Sequence, residues 1–170
     1  MKEIWDLYNE KRELTGKTHV RGDVIPDGCF HLVVHVWIRN NEGKYLISQR
    51  SADRPTYPLM WECVGGSVTV GEDSLAGALR ETIEEVGIEL CPSEGRVVFS
   101  RVRDVIGGKR FGDIMDVWLF DYDGEVDLGR ATTAETCDAR WMVRDEIMAI
   151  YDEGKLVPTL EYFFDEVYGK

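Results

Sequence analysis

The chain has 170 residues, of which 44% are hydrophobic and 31% charged, a composition typical of one folded domain rather than a disordered chain. Its formal charge of −12 argues against duplex nucleic acid or an anionic membrane as partner, since such binders carry a basic surplus. No apolar run approaches the ~20 residues of a membrane span, and the acidic first ten residues lack the apolar core of a secretory signal. We therefore expect one cytoplasmic domain over residues 1–170, in which residues 1–29 form an N-terminal arm with short strands.

The cysteines show no metal-binding or disulfide pattern. No Cys-x-x-Cys pair is present, and three histidines do not complete a zinc-finger spacing. We expect reduced thiols, mostly buried as small apolar residues, at Cys29, Cys63, Cys91 and Cys137.

The first half of the chain predicts a hairpin around a central strand. Phe30–Ile38 is apolar on both alternating faces, which is typical of a strand buried on both sides. After a turn, Tyr45–Gln49 completes the hairpin. A proline-containing loop follows, and Trp61–Val70 fits either strand or loop.

The second half predicts alternating strands and helices. Strands are expected at Arg96–Val102, Ile114–Phe120 and Arg140–Val143, and helices at Arg144–Asp152 and Pro158–Val167. Strands interleaved with helices predict an α/β fold, a mixed sheet covered by helices.

A helix is also predicted over Asp73–Val86, because apolar residues recur there at intervals of three and four. Asp73 or Ser74 can cap its start, and Gly87 ends it. The expected core-facing stripe consists of Leu75, Leu79, Ile83 and Val86.

Three carboxylates, Glu81, Glu84 and Glu85, share the opposite side of this helix. A hydrated acidic face is the ordinary interpretation of such a group. A rigid set of carboxylates can also hold Mg²⁺ or Mn²⁺, which prefer oxygen ligands.

The spacing around these carboxylates favours the second interpretation. Gly66, Glu72 and Arg80–Ile88 fit the pattern G-x5-E-x7-R-E-U-x-E-E-x-G-U, where U is a bulky apolar residue, and Thr82 at a U position is a mild departure. A chance match is on the order of one in a hundred million per window. The segment resembles the Nudix box.

This resemblance implies a fold and an activity. The fold is an α/β/α sandwich with a mixed sheet and a loop-helix-loop catalytic motif. The activity is hydrolysis of a diphosphate linkage in a nucleoside diphosphate derivative or a related organic diphosphate. Dimers are frequent among such enzymes, so a homodimer is one expected assembly.

The resemblance also implies the site. Glu81, Glu84 and Glu85, with a backbone carbonyl at Gly65, would bind Mg²⁺, for which Mn²⁺ is a substitute, and the glutamates would position the attacking water. Arg80 would orient these carboxylates through charge-assisted hydrogen bonds. Metal ions between protein and substrate explain how a chain of charge −12 can bind a polyanion.

A second set of residues resembles the isopentenyl-diphosphate isomerase branch of the same superfamily. It comprises Trp5-Asp6, Arg21-Gly22-Asp23, His31-Leu32 and the segment Arg50–Trp61. Arg50 and Arg54 match basic residues that grip the diphosphate in that branch. The alternative for both is a pair of exposed loop arginines.

The isomerase chemistry itself is not implied. That branch has Cys-Gly-His where this chain has Gly65-Gly66-Ser67, although Cys63 lies two residues away. His31 matches a metal-binding histidine of the isomerases, and a buried core histidine is the favoured interpretation. An isomerase and a non-catalytic nucleotide-sensing module remain the alternatives to a hydrolase.

Other features stay open at this level. Loops at Arg50–Trp61 and Gly107–Asp113 are expected to rim the site. The substrate cannot be read from the motifs. A further metal-binding carboxylate beyond the box could be Asp113, Asp116, Glu135 or Asp138.

Overall fold

The structure is a computed structural model that describes residues 2–106 and 108–170. An antiparallel ribbon of β1 and β2 opens the chain, and in the described residues a seven-stranded mixed sheet follows, with α1 and α2 packed against it. The elements are β1 (Ile4–Tyr8), β2 (Leu14–Val20), β3 (His31–Arg39), β4 (Tyr45–Arg50), β5 (Trp61–Glu62), β6 (Val64–Ser67), α1 (Ser74–Val86), β7 (Gly95–Ile106), β8 (Lys109–Asp121), β9 (Thr136–Met142) and α2 (Arg144–Asp152).

Strand β3 is the centre of the sheet, as its two apolar faces predicted. It runs parallel to β8, with His31 opposite Asp113, and antiparallel to β6, with Val36 opposite Val64. Its contact with β4 is limited to the hairpin end, where Arg39 lies opposite Tyr45. The sheet therefore divides beyond the hairpin, and β6 occupies the place beside β3.

Two apolar cores lie on opposite faces of the sheet. On one face, Ala78 of α1 belongs to a core cluster with the fully buried Val34. On the other face, Ile147 of α2 and Phe163 of the C-terminal segment cluster with Trp37. Two covered faces confirm the α/β sandwich expected from the sequence.

The strands after α1 are longer than the sequence predicted, because β7 and β8 form one extended antiparallel hairpin. The loop expected at Gly107–Asp113 is mostly strand, since β8 begins at Lys109; Gly107 lies outside the described residues. The pairing of β7 with β8 satisfies backbone groups that a loop would leave to solvent.

The prediction of a C-terminal α-helix over Pro158–Val167 is wrong. A 3-10 turn covers Pro158–Leu160, and a single π-helical turn covers Phe163–Val167. The ring of Phe163 stacks on Trp37 with a centroid distance of 4.3 Å. Packing of this aromatic residue against the sheet overrides the local helical period.

The N-terminal ribbon is tied to the sheet by a long-range ion pair. Arg12, at a positive φ of 64°, donates two hydrogen bonds to the carboxylate of Asp116 in β8, one of them 2.6 Å long. Asp116 is 1% exposed and also accepts from the Ser100 hydroxyl. The short strands expected in residues 1–29 are therefore confirmed, and they are fixed to the centre of the fold.

All four cysteines are free. Only Cys63 is buried, whereas Cys91 and Cys137 are exposed, so the expectation of mostly buried thiols is wrong. In the part of the chain that the structure describes, no helix is long and apolar enough to cross a membrane.

Candidate active site

Helix α1 begins where the sequence predicted, and most of the expected stripe faces the sheet. The Asp73 side chain accepts a hydrogen bond from the Ala76 amide, and Gly87 ends the helix in the left-handed conformation. Val86 is fully buried, and Leu75 and Leu79 pack against the core, but Ile83 is 36% exposed, so the prediction is wrong at that position. The fully buried side of the helix also includes polar and small residues, which are Gly77, Ala78, Glu81, Thr82 and Glu85.

A close approach between α1 and β6 makes this orientation feasible. A Cβ atom at Gly77 would lie 2.8 Å from the Val68 side chain, so only glycine lets the helix come this near. Thr82 is fully buried and donates its hydroxyl to the carbonyl of Ala78 within the helix. Glu81 and Glu85 therefore lie buried between the helix and the sheet, next to these small residues.

Arg80 binds three of the four glutamates of the box, Glu72, Glu81 and Glu84. Its Nη1 donates to Glu81 Oε1 and to Glu84 Oε2, each at 2.9 Å. Its Nε donates to Glu72 Oε1 at 2.8 Å, and its Nη2 donates to the Ser67 carbonyl at 2.9 Å. Arg80 thus joins the loop before α1 to the carboxylates of the helix, in the arrangement that the resemblance implied.

Glu85 and Glu81 are carboxylates in an unfavourable environment. Burial raises the pKa of Glu85 well above its ordinary value, and the nearby carboxylates of Glu62 and Glu81 add to the increase. Burial also raises the pKa of Glu81, to about 7, against the opposing charge of Arg80. The Gly65 amide donates to Glu85 Oε2 at 3.3 Å. Two desolvated acids beside each other favour a cation between them.

The donor set fits a hard divalent ion. The side chains of Glu81, Glu84 and Glu85 offer only oxygen, as does the Gly65 carbonyl. In the arrangement observed, no three His, Cys, Asp or Glu side chains of the described residues are grouped to hold a metal ion. The guanidinium of Arg80 bonds one carboxylate oxygen of Glu81 and one of Glu84 directly.

A cavity of about 450 Å³ opens beside these groups. Gly65, Glu81 and Glu84 line it together with Arg80, while Glu85 lies behind Gly65. Of the loop between β4 and β5, Arg54 reaches the same cavity. The structure therefore brings the box and one of the two loop arginines together.

Arg50 takes a different place. Its Nη1 lies 2.6 Å from Glu62 Oε1, its Nε donates to the Thr56 carbonyl, and its side chain is 11% exposed. It does not belong to the cavity lining in the described residues. Arg50 thus fixes its own loop and pairs with a buried glutamate. Its direct contact with substrate stays a prediction with no support in this geometry.

Among the candidate extra carboxylates, Glu135 alone lines the cavity, where its Oε1 lies 2.7 Å from Arg54 Nη1. Asp113 is buried against Arg103 and Asp116 against Arg12, so both charges are already compensated. Asp138 pairs with Arg140 on β9. The described residues 108–113 are not among those lining the cavity, so the second expected rim loop is wrong.

His31 is a core residue rather than an open ligand position. Its ring stacks on Trp5 with a centroid distance of 3.9 Å, and it is 6% exposed. Burial lowers the pKa of His31 to about 4, and the positive charge of Arg103 adds to the decrease. The neutral ring beside a guanidinium is a poor place for a second cation. Its Nδ1 makes no hydrogen bond within the described residues, which the sequence did not predict.

Cys63 cannot replace the missing isomerase cysteine in this arrangement. It is 3% exposed and belongs to the apolar cluster around Trp37 and Met115. Burial raises the pKa of its thiol well above the ordinary value. The position of the isomerase acid is held by Gly65.

The sequence assigned no role at the site to two groups of residues. Glu62 adds a largely buried carboxylate near Glu85, and its signal was a lone charge in the apolar run from Trp61 to Val64. Lys2, Glu3 and Arg21 reach the cavity from the ends of the ribbon. Arg21 belongs to the residues that resemble the isomerase branch, but only the docking of the ribbon places it beside the cavity.

A mixed sheet between helices, with a carboxylate-bearing helix beside a cavity, agrees with the Nudix class of protein that the box resembles. The NUDIX domain model matches residues 30–166, and the chain belongs to this family. An uncharacterized Nudix hydrolase of Listeria monocytogenes is 38% identical over 164 residues, which cover 95% of this chain and 90% of that protein. Membership and relatives support a Nudix hydrolase as the enzyme class.

Two further similarities agree with the fold and the flanking motifs. The crystal structure of DR0079 from Deinococcus radiodurans has a TM-score of 0.69 and 24% identity over 91% of this chain and 92% of that chain, a likeness that bears on the fold alone. An isopentenyl-diphosphate Delta-isomerase of Escherichia coli is 29% identical over 52% of this chain and 49% of that protein. The resemblance to the isomerase branch is thereby confirmed.

Proposed function

We propose that the protein is a divalent-metal-dependent hydrolase that cleaves a diphosphate linkage in a nucleoside diphosphate derivative or a related organic diphosphate. The observation that carries this proposal is the desolvated pair Glu81 and Glu85, whose pKa values are raised beside a cavity that Arg54 also lines. Buried acids at a cleft with cations on its rim are typical of sites that work on anionic substrates.

Mg²⁺ is the proposed cofactor, with Mn²⁺ as substitute, and it supplies neutralisation of the diphosphate and activation of water. Glu81, Glu84 and Glu85, with the Gly65 carbonyl, would hold the ion. Glu84 and Glu85 would also accept hydrogen bonds from the attacking water and orient it.

Arg80 is the positioning residue of this group. It holds Glu81 and Glu84 on one guanidinium nitrogen, so their carboxylates enter the reaction with fixed orientations. Fixed acceptors cost no reorganisation when charge develops in the transition state. Arg54 binds the diphosphate from the loop, where its present partner is Glu135.

The remaining parts of the proposal concern partners and place of action. A charge of −12 supports a small anionic substrate reached through metal ions rather than a nucleic acid or membrane surface. The cytoplasm is the proposed compartment. A homodimer is the proposed assembly, and light scattering of the purified chain tests it directly.

One screen tests the activity. The purified chain is incubated with a panel of nucleoside diphosphate derivatives in Mg²⁺, in Mn²⁺ and in EDTA, and phosphomonoester products are separated by chromatography. We expect metal-dependent cleavage of at least one compound and none in EDTA. Incubation with isopentenyl diphosphate is the matched arm: formation of dimethylallyl diphosphate would support the isomerase instead. Binding without turnover of any compound would support the sensing module.

A further inference from the structure

The N-terminal ribbon contributes residues to the cavity, although it lies outside residues 30–166 that the family model matches. Because β1 and β2 are antiparallel, the start of one and the end of the other meet, with Ile4 opposite Val20. The Arg21 amide donates to the Glu3 carbonyl at 2.9 Å, one step beyond this pair. The side chains of Glu3 and Arg21 therefore reach the cavity at the same point.

Arg21 has hydrogen-bond donors left for a ligand. Its Nη1 lies 2.6 Å from Glu3 Oε2, and its side chain is 59% exposed. Within the described residues its Nε and Nη2 make no hydrogen bond, so part of the guanidinium fork stays available. A guanidinium matches phosphate oxygens in geometry and charge.

A series of contacts that starts in the central strand holds this arginine. Trp5 stacks on His31 of β3 with an interplanar angle of 9°. The Trp5 indole Nε1 donates to Glu3 Oε1 at 2.8 Å, which leaves Oε2 to accept from Arg21. Glu3 is more buried than Arg21, with 24% against 59% side-chain exposure. Glu3 is thus the fixed member of the pair.

Arg21 and Arg54 form equivalent pairs on different elements. Each is held by one glutamate, Arg21 by Glu3 at 2.6 Å and Arg54 by Glu135 at 2.7 Å. Arg80, the other arginine of the cavity, is committed to the box carboxylates. The cations with donors for a diphosphate therefore come from the ribbon and from the loop, and not from α1.

Resting on the proposed function, we infer that Arg21 is a further substrate-binding residue, which holds phosphate oxygens from the ribbon side while Arg54 holds them from the loop side. Glu3 and Trp5 are its positioning residues. The ribbon then contributes a substrate-binding residue to the active site, in addition to packing against the sheet.

Binding of a diphosphate that cannot be hydrolysed tests the inference without knowledge of the substrate. The probe is methylenediphosphonate, titrated calorimetrically into the full chain in Mg²⁺. We expect Arg21→Ala to weaken binding about tenfold, the value of one charge-assisted hydrogen bond to phosphate, and Arg21→Lys to recover part of it. The matched control is Arg96→Ala, which removes an arginine of 46% exposure paired with Asp121 away from the cavity. It should bind as the wild type does.

Trp5→Phe separates positioning from folding. Phenylalanine keeps a ring on His31 but cannot donate to Glu3. We expect a two- to threefold rise in KM for the best substrate with kcat nearly unchanged, beside a modest fall in melting temperature because the smaller ring fills less of a buried position. A structural role alone would lower the melting temperature and leave KM as it was.

The outcomes distinguish this inference from the function on which it rests. If Arg21→Ala binds methylenediphosphonate as tightly as the wild type, while the chain hydrolyses a diphosphate in Mg²⁺, Arg21 is not a substrate-binding residue and the hydrolase stands. If the wild type neither binds the probe nor cleaves any compound of the panel, both are overturned.

Discussion

Gly66 and Glu81 occupy the same space: a Cβ atom at position 66 would lie 2.3 Å from the Glu81 carboxyl carbon. The absence of a side chain on β6 is therefore what admits this carboxylate between helix and sheet. The backbone at Gly66 has no conformation that requires glycine. Glycine is needed there because a side chain would collide with Glu81.

Gly66→Ala tests this relationship. The Glu81 side chain can move, so we expect the variant to fold with a melting temperature within a few degrees of the wild type. Displacement of the carboxylate should lower kcat by at least about tenfold, because a fixed acceptor is lost. The control is Gly129→Ala, where the added carbon meets Asp127 at 3.0 Å on the surface. Full activity in Gly66→Ala would mean that the position of Glu81 does not matter.

Glu85→Gln should abolish most turnover and leave the fold intact. The change keeps side-chain size, and it removes a carboxylate whose burial raises its pKa, so the free energy of unfolding should hold or rise. We expect kcat to fall at least about 100-fold, through lost transition-state stabilisation. The control is Glu89→Gln, an exposed position three residues after the helix. If Glu85→Gln turned over substrate at the wild-type rate, the acidic face of α1 would be only a hydrated helix face and not a metal site.

Stability of the metal-free chain should fall as pH rises between about pH 6.5 and 8. The pKa of Glu81 is raised to about 7 and that of Glu85 well above its ordinary value, so folding takes up protons in this range, and the stability that protonation supplies is lost as pH rises through the folded-state values. The buried histidines act below this window. Burial lowers the pKa of His31 to about 4 and of His35 to about 3, so their contribution is complete above about pH 6.5.

Urea denaturation in EDTA at several pH values measures the slope of the free energy of unfolding against pH. Glu81→Gln should flatten it, since one of the two groups no longer titrates. Saturating Mg²⁺ should flatten it as well, by favouring the ionised carboxylates. A slope that is unchanged in Glu81→Gln would contradict the assignment of the proton uptake.

Arg50→Ala and Arg54→Ala should differ, although the sequence suggests one purpose for both. Arg54 lines the cavity, so its loss should raise KM more than it lowers kcat. Arg50 compensates the half-buried Glu62, so its loss should cost about 1–3 kcal/mol of stability. Thermal unfolding and steady-state kinetics on both variants give the comparison. If both substitutions raised KM equally and left the stability equal, Arg50 would also contact the substrate directly.

The sequence predicted helix α1 almost to the residue, because a capping Asp73 and a terminating Gly87 are local signals. It placed Leu75, Leu79 and Val86 correctly toward the core, but not Ile83. Hydrophobic periodicity assigns Ile83 to the core, whereas the glycine at 66 lets Glu81 take that side. A functional site is where patterning is expected to fail, since it needs polar groups where folding alone would put apolar ones.

The long-range members of the site were beyond local reasoning. Arg50 and Arg54 lie four residues apart and the sequence assigned them together, but Arg50 ends β4 and pairs with Glu62, whereas Arg54 lies in the loop that follows and pairs with Glu135. Arg21 belongs to a segment without a helical or strand signature strong enough to place it. Pairings between distant segments, such as His31 with Asp113 in the parallel strands, decide these positions.

The ion pair between Arg12 and Asp116 makes the N-terminal ribbon part of the cooperative folding unit of this chain. A chain trimmed to residues 30–166 would keep every element that the family model matches and lose the partner of a carboxylate at the centre of β8. Leaving such a charge without its guanidinium costs about 1–3 kcal/mol, a substantial share of the roughly 5–15 kcal/mol that holds a domain together. The segment that unfolds cooperatively therefore includes the ribbon that begins at Ile4. The family model, in contrast, begins only at residue 30.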